Sequence, residues 1–134
     1  MLQVAKKKIE TLQADHLLCK LVNLEIENWD EEPVDFLFTQ MALHHVKDIK
    51  NIFAKFSSMI HANGYLAIAD LYPEDGSFHG EGHDVHLGFD TEELIRLLSE
   101  NNFSILHCEP VFIIKKTIKD QQKEFPVFLL LAQK

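Results

Sequence analysis

The sequence predicts an α/β fold: a three-layer mixed sheet, mostly parallel, closing in an antiparallel C-terminal hairpin. Three observations predict it. Val34–Thr39 and Tyr65–Leu71 are short runs of aliphatic and aromatic residues, the composition of strands buried on both faces. Stretches between and after them repeat apolar residues at helical spacing, and such alternation means a parallel sheet covered by helices. The last third holds two β-rich runs separated by a polar turn, which read as an antiparallel pair.

Residues 1–13 read as a helix, because Met1, Ala5, Ile9 and Leu12 recur at helical spacing with Lys6, Lys7 and Lys8 mostly opposite. No capping residue precedes Met1, which suggests a chain beginning inside an element. Leu17–Leu24 reads as a short strand, and Glu25–Pro33 as an acidic loop broken by Asn28, Asp30 and Pro33. After strand Val34–Thr39, Asp48–His61 is the clearest helix. Val46, Ile49, Ile52, Phe53, Phe56, Met59 and Ile60 form its stripe, and Asn63-Gly64 ends it. Strand Tyr65–Leu71 leads into a Gly- and His-rich loop, Tyr72–Phe89. Asp90 or Thr91 caps the next helix, whose stripe is Leu94, Leu97 and Leu98 and whose end is Asn101-Asn102. Phe103–Ile114 is a strand in which Pro110 implies an edge or a bulge; Lys115–Glu124 is a polar turn, and Phe125–Ala132 runs back.

At 134 residues and 46% hydrophobic content, residues 1–134 make a single domain with one core. The formal charge of −8 argues against nucleic acid or an anionic membrane as a partner. Cys19 and Cys108 sit in apolar runs without metal-type spacing and read as reduced, buried thiols. The longest apolar run, Val127–Ala132, falls far short of the roughly 20 residues that span a bilayer. No apolar run follows the N-terminal lysines, so no signal peptide is read, and a cytoplasmic location is expected.

In this order, several pieces resemble the class I S-adenosylmethionine-dependent methyltransferases of the small-molecule type. That family's Rossmann-like sheet has the order 3-2-1-4-5-7-6 with strand 7 reversed. Met1-Leu2-x-Val4-Ala5-Lys6-Lys7-Lys8 resembles the helix after the second strand, and Val34-Asp35-Phe36-Leu37-Phe38 resembles strand 4. Leu43-His44-His45-Val46-Lys47-Asp48 is similar to the following turn. Asn63-Gly64-Tyr65-Leu66-Ala67-Ile68-Ala69-Asp70-Leu71 resembles strand 5, and Gly88-Phe89-Asp90-Thr91-Glu92-Glu93-Leu94 the next helix start. The family also has a Gly-rich turn after strand 1, whose free N–H groups hold the methionyl part of the cofactor. None of Gly64, Gly76, Gly80, Gly82 and Gly88 follows an N-terminal strand, so strands 1 and 2 and the first helix are expected to be missing.

Geometry bears on this expectation. Strands 3 and 4 of the full sheet lie three steps apart, about 14 Å. Glu25–Pro33 reaches at most about 30 Å, enough to bridge that gap but too short for the crossover of about a dozen residues that direct parallel pairing demands. Strand 34–39 is therefore expected to present an open apolar edge.

The resemblance implies site residues. Asn23, ending a strand, would lie near the adenine; the competing reading is a polar strand-end residue. Thr39, Gln40 and Met41 follow strand 4, where ligands of open α/β sheets bind, and would line the cofactor. His44 and His45 are the catalytic candidates, as histidine titrates near neutrality, although the family uses this spot largely to pack and cap a helix. His79, His83 and His86, with Glu81 and Asp84 between, suggest a metal. Their glycines disfavour a helix and the order lacks H-E-x-x-H, so a metal hydrolase stays an outsider and no metal is assigned. The preferred reading is a loop over the substrate, contributing Tyr72, Phe78, His79 and His86.

Two functions follow. One is methyl transfer from S-adenosylmethionine to a small-molecule acceptor, resting on alignment and exclusion of water. The alternative is a non-catalytic module that dimerises or binds a partner through its open sheet edge.

Overall fold

The computed structural model describes all 134 residues. Its elements are α1 (Leu2–Thr11), β1 (Val34–Gln40), a single 3-10 turn (Leu43–His45), α2 (Ile49–Met59), β2 (Ile60–Leu71), α3 (Thr91–Glu100), β3 (Ser104–Ile118) and β4 (Gln121–Gln133). The four strands form one sheet in the order β1-β2-β4-β3. β1 pairs parallel with β2, while β4 runs antiparallel to both β2 and β3, so β4 alone is reversed. This matches strands 4-5-7-6 of the order named above.

Capping side chains set both core helices. Asp48 accepts the Asn51 N–H at 2.9 Å and opens α2. Asp90 accepts the Glu92 N–H at 2.9 Å and opens α3. The buried stripes are the ones their spacing predicts: Ile49, Ile52, Phe53, Phe56 and Met59 on α2, and Leu94, Leu97 and Leu98 on α3. Both helices press these stripes onto Leu66 and Ile68 of β2 and Phe128, Leu130 and Ala132 of β4, forming one core.

Several boundaries differ from the sequence reading. Leu17–Leu24 forms no strand and enters no ladder; Leu18 is 93% and Leu21 84% exposed. An apolar run becomes a strand only beside a partner that takes up its backbone groups, and this one has none. α2 stops at Met59, and Asn63 rather than Gly64 takes the positive φ, of 66°. Gly64 is needed for space, since a Cβ there would sit 2.9 Å from the Asp35 carbonyl oxygen. The expected turn over Lys115–Glu124 is instead ladder, held partly by a 3.0 Å ion pair between those two residues. The turn shrinks to Lys119-Asp120, both at positive φ, the two-residue geometry that suits twisted strands. Pro110 sits where the register shifts on the outer strand β3, as its missing N–H requires.

The third layer is not built by helices of this chain. α1 buries no residue, and α2 and α3 share one face. The opposite face carries Phe36, Phe38, Ala67, Ala69, Leu129 and Leu131 around an open apolar hollow. β1 is consequently not buried on both sides: Phe36 is 53% and Phe38 68% exposed. Both cysteines are free and half-buried. No helix is long and apolar enough to cross a membrane.

The loop after β2 returns to its own start at Gly88, whose φ is 76° and whose absent Cβ would lie 2.0 Å from the Tyr72 carbonyl oxygen. Gly88→Ala meets both a left-handed backbone and a backbone clash, and is expected to cost at least about 2 kcal/mol in urea unfolding.

Candidate functional site

The C-terminal tips of β1 and β2 meet the loop 72–89, and one buried carboxylate organises the junction. Asp70, the penultimate residue of β2, is 0% exposed. Acidic side chains are almost never this buried unless partnered. Three N–H donors converge on it. The His44 backbone N–H reaches one oxygen at 3.2 Å; the other accepts the His44 ring Nδ1–H at 2.6 Å and the Leu71 N–H at 2.8 Å. An ionised carboxylate can only accept, so Nδ1 carries the hydrogen of this contact, and the ring's Nε2 faces His79.

His44 is held for this contact by the chain itself. Met41, at the tip of β1, takes φ 49° and donates its N–H to the Ala69 carbonyl at 2.9 Å. That departure from extended geometry turns the chain off the sheet edge into the 3-10 turn Leu43–His45, burying His44 to 1% exposure. The His44 carbonyl accepts the His86 N–H at 2.8 Å, and its ring Nε2 lies 2.9 Å from Nε2 of His79. His45 completes a trio: its ring centroid lies 4.3 Å from that of His44 and 5.0 Å from that of His79. One ligand-type atom from each of His44, His45 and His79 lies within 4.8 Å of the others.

Partial desolvation, then the neighbouring His44 ring, holds His45 below the usual histidine range. His79 is lowered by the same first cause, followed by His44 and His45. Both therefore present neutral rings with lone pairs at neutral pH.

The hairpin fixes the loop that delivers His79. Lys116 donates to the Phe78 carbonyl and lies 4.5 Å from the centre of the Phe78 ring. Lys123 reaches Asp75 at 2.7 Å and Ser77 at 3.1 Å, and with Ser77 it holds the Asp75 carboxyl far below the ordinary carboxylate range.

The other candidates divide. Asn23 and Thr39 line one cleft of about 360 Å³, with Ala42 and His45. Asn23 ends no strand, however; its side-chain oxygen accepts the Glu25 N–H at 3.1 Å and shapes a local turn. Gln40 instead lines the bare apolar face, and Met41 packs toward Leu71 and Val127. Tyr72 is half-buried in the core, edge-on to Phe128, and burial pushes its hydroxyl up. Phe78 packs edge-on to Phe125 at 5.1 Å, and His86 lies against Phe89 at 5.3 Å while still lining a cleft with His44 and His45. Of the sequence trio His79, His83 and His86, only His79 joins the cluster, with His83 behind it at 5.6 Å. Sequence reading missed Asp70 as a site residue. The available signal was an acidic residue inside an otherwise unbroken apolar strand.

The methyltransferase-domain family model matches residues 1–68. The chain belongs to that family. Within it, this methyltransferase chain is 30% identical over 79 residues to a Schizosaccharomyces pombe protein described as an uncharacterized methyltransferase; the match covers 52% of the chain and 28% of that protein. The chain thus spans little more than a quarter of its curated relative. The fold is shared with solved structures of low identity. YcgJ of Bacillus subtilis gives a TM-score of 0.72 at 13% identity, covering 99% of this chain and 76% of that one. A methyltransferase of Methanosarcina mazei gives 0.64 at 17%, covering 86% and 66%. The [4+2]-cyclase SpnF gives 0.72 at 11%, covering 99% and 62%.

The family implies S-adenosylmethionine, and the residues present fit only one side of it. Gly76, Gly80, Gly82 and Gly88 all lie inside the long loop and Gly64 near the start of β2, so no glycine-rich turn joins a strand directly to a helix. The tip of β1 and the Asn23–Thr39 cleft can form a wall; the cradle for the methionyl group is not among these residues.

Asp70→Ala leaves three buried donors without an acceptor and is expected to cost about 3 kcal/mol. In a double-mutant cycle by urea unfolding, Asp70→Ala with His44→Ala should cost clearly less than the sum of the two single changes.

Proposed function

We propose that this chain is the C-terminal part of an S-adenosylmethionine-dependent methyltransferase domain acting on a small-molecule acceptor. The observation that carries the reading is the end of β1: in a sheet of the family's strand order, its tip opens onto a cleft shared by Asn23, Thr39 and His45. The cofactor, when bound, supplies an electrophilic methyl group. The work of this chain is then to form one wall of the site and cover it. Thr39 and Asn23 offer polar atoms in a cleft otherwise lined largely by Val22, Leu24, Ala42, Leu43 and Val46. The loop 72–89, pinned by Lys116 and Lys123, shields the tips from water on the acceptor side. Gln40 and Met41 contribute through the turn they make rather than through side chains pointing into the cleft.

In this reading the chain binds cofactor weakly by itself, because it holds a wall without a cradle. Titration of ¹⁵N-labelled protein with S-adenosylhomocysteine is expected to shift the amides of Asn23 and Thr39–Met41 at millimolar ligand. Amides at these positions that do not move overturn the assignment of the cleft.

A second reading has its own observation. β1 lies at the edge of the sheet, and Phe36 and Phe38 stack with ring centres 6.1 Å apart on the uncovered face. A second copy could cover this face and make the chain a non-catalytic, self-associating module. Light scattering after size exclusion should then give a dimer that Phe38→Lys dissociates; a monomer at all concentrations removes this reading.

A further inference from the structure

The geometry points to a divalent metal-ion site of the zinc class at the tips of β1 and β2, with His44, His45 and His79 as its protein ligands. Three imidazoles from two separate segments converge, and one ligand-type atom of each lies within 4.8 Å of the others. Nitrogen donors around a tetrahedral zinc ion stand about 3.3 Å apart, and their ring centres about 5 Å apart. The ring centres here are 4.3, 4.9 and 5.0 Å apart, close to that spacing.

The His44–His79 contact supports this assignment. Two Nε2 atoms face each other at 2.9 Å, the spacing of a hydrogen bond that places one proton between them when one ring donates to the other. Replacing that proton by a dication, with the proton moving to the donor ring's Nδ1, needs the pair to open by only a few tenths of an ångström. The ring of His45 makes no hydrogen bond within the chain, so its lone pair is uncommitted.

The supporting shell is what such sites use. A ligating histidine donates its other ring N–H to a carboxylate, which fixes the tautomer and raises the basicity of the ligating nitrogen. Asp70 does this for His44, in full burial and with its own oxygens satisfied by two backbone N–H groups. Three neutral imidazoles leave an ion dicationic and one position short of tetrahedral. Beside His44 and His45 lies a cleft of about 230 Å³, also lined by Lys47, Asp84 and His86, through which a ligand for that position can enter. The ligand class for it is an anionic oxygen: hydroxide, carboxylate or an acidic hydroxyl. All three ligands and the carboxylate belong to this chain, so the site stands whether or not the cofactor reading holds.

The test is calorimetric titration of chelator-stripped protein with zinc chloride. One equivalent is expected to bind, and His79→Ala and His45→Ala should each weaken binding at least tenfold. His107→Ala should leave it unchanged, since that ring is paired with Glu109 on β3. His45 is exposed, so its removal spares the fold, which circular dichroism checks. Cobalt(II) gives a second readout: strong four-coordinate ligand-field bands in the parent protein, lost in His45→Ala. Zinc that fails to bind, or that binds equally well to both variants, overturns the site, as does a weak six-coordinate cobalt spectrum.

Discussion

The Asp70 carboxylate is the contact on which the functional end of the molecule depends. Burying a charge is costly unless donors surround it, and here the donors come from the turn after β1 and from Leu71 of the same strand. By taking the backbone and ring N–H groups of His44, Asp70 fixes the turn after β1 against the end of β2. His44 then passes the constraint on: its carbonyl holds His86 and its Nε2 meets His79. The long loop is thereby fastened at two points to one residue, itself fastened to one carboxylate. A loop with four glycines at positive φ would otherwise lose much conformational entropy on ordering.

What was legible in the sequence follows from periodicity. α2 and α3 declare themselves because Ile49, Ile52, Phe53 and Phe56, and Leu94, Leu97 and Leu98, recur at a spacing that only a helix turns to one side. β1, β2 and their parallel pairing were equally readable. The Leu17–Leu24 run misled for a physical reason: its apolar character is intrinsic, but strand structure is a property of a pair. Likewise Lys115–Glu124 looked like a turn because it is polar. A two-stranded ribbon facing water is polar too, and only Lys119 and Asp120 carry the turn's dihedral angles.

The site was half legible. His44, His45 and His79 each drew notice by residue type, yet sequence proximity grouped His79 with His83 and His86 instead of with residues 35 positions earlier. Loop-mediated convergence has no local signature. Asn23 differs from the reading only in its setting: no strand ends there, and its side-chain oxygen shapes a local turn by accepting the Glu25 N–H.

The fold leaves the chemistry open, and the resemblance to a [4+2]-cyclase in the same architecture makes that concrete. What distinguishes this chain is how its parts are distributed. It holds the tips of β1 and β2, three clustered histidines and the loop that covers them, but not a phosphate-type glycine cradle. Its face of Phe36, Phe38, Leu129 and Leu131 is the side of the sheet that no helix of the chain covers. The imidazole cluster is anchored through Leu43 and His44, both buried, and through Phe78, which packs on Phe125. The three histidines and the carboxylate that holds one of them all belong to this chain, so the cluster is testable in it as it stands.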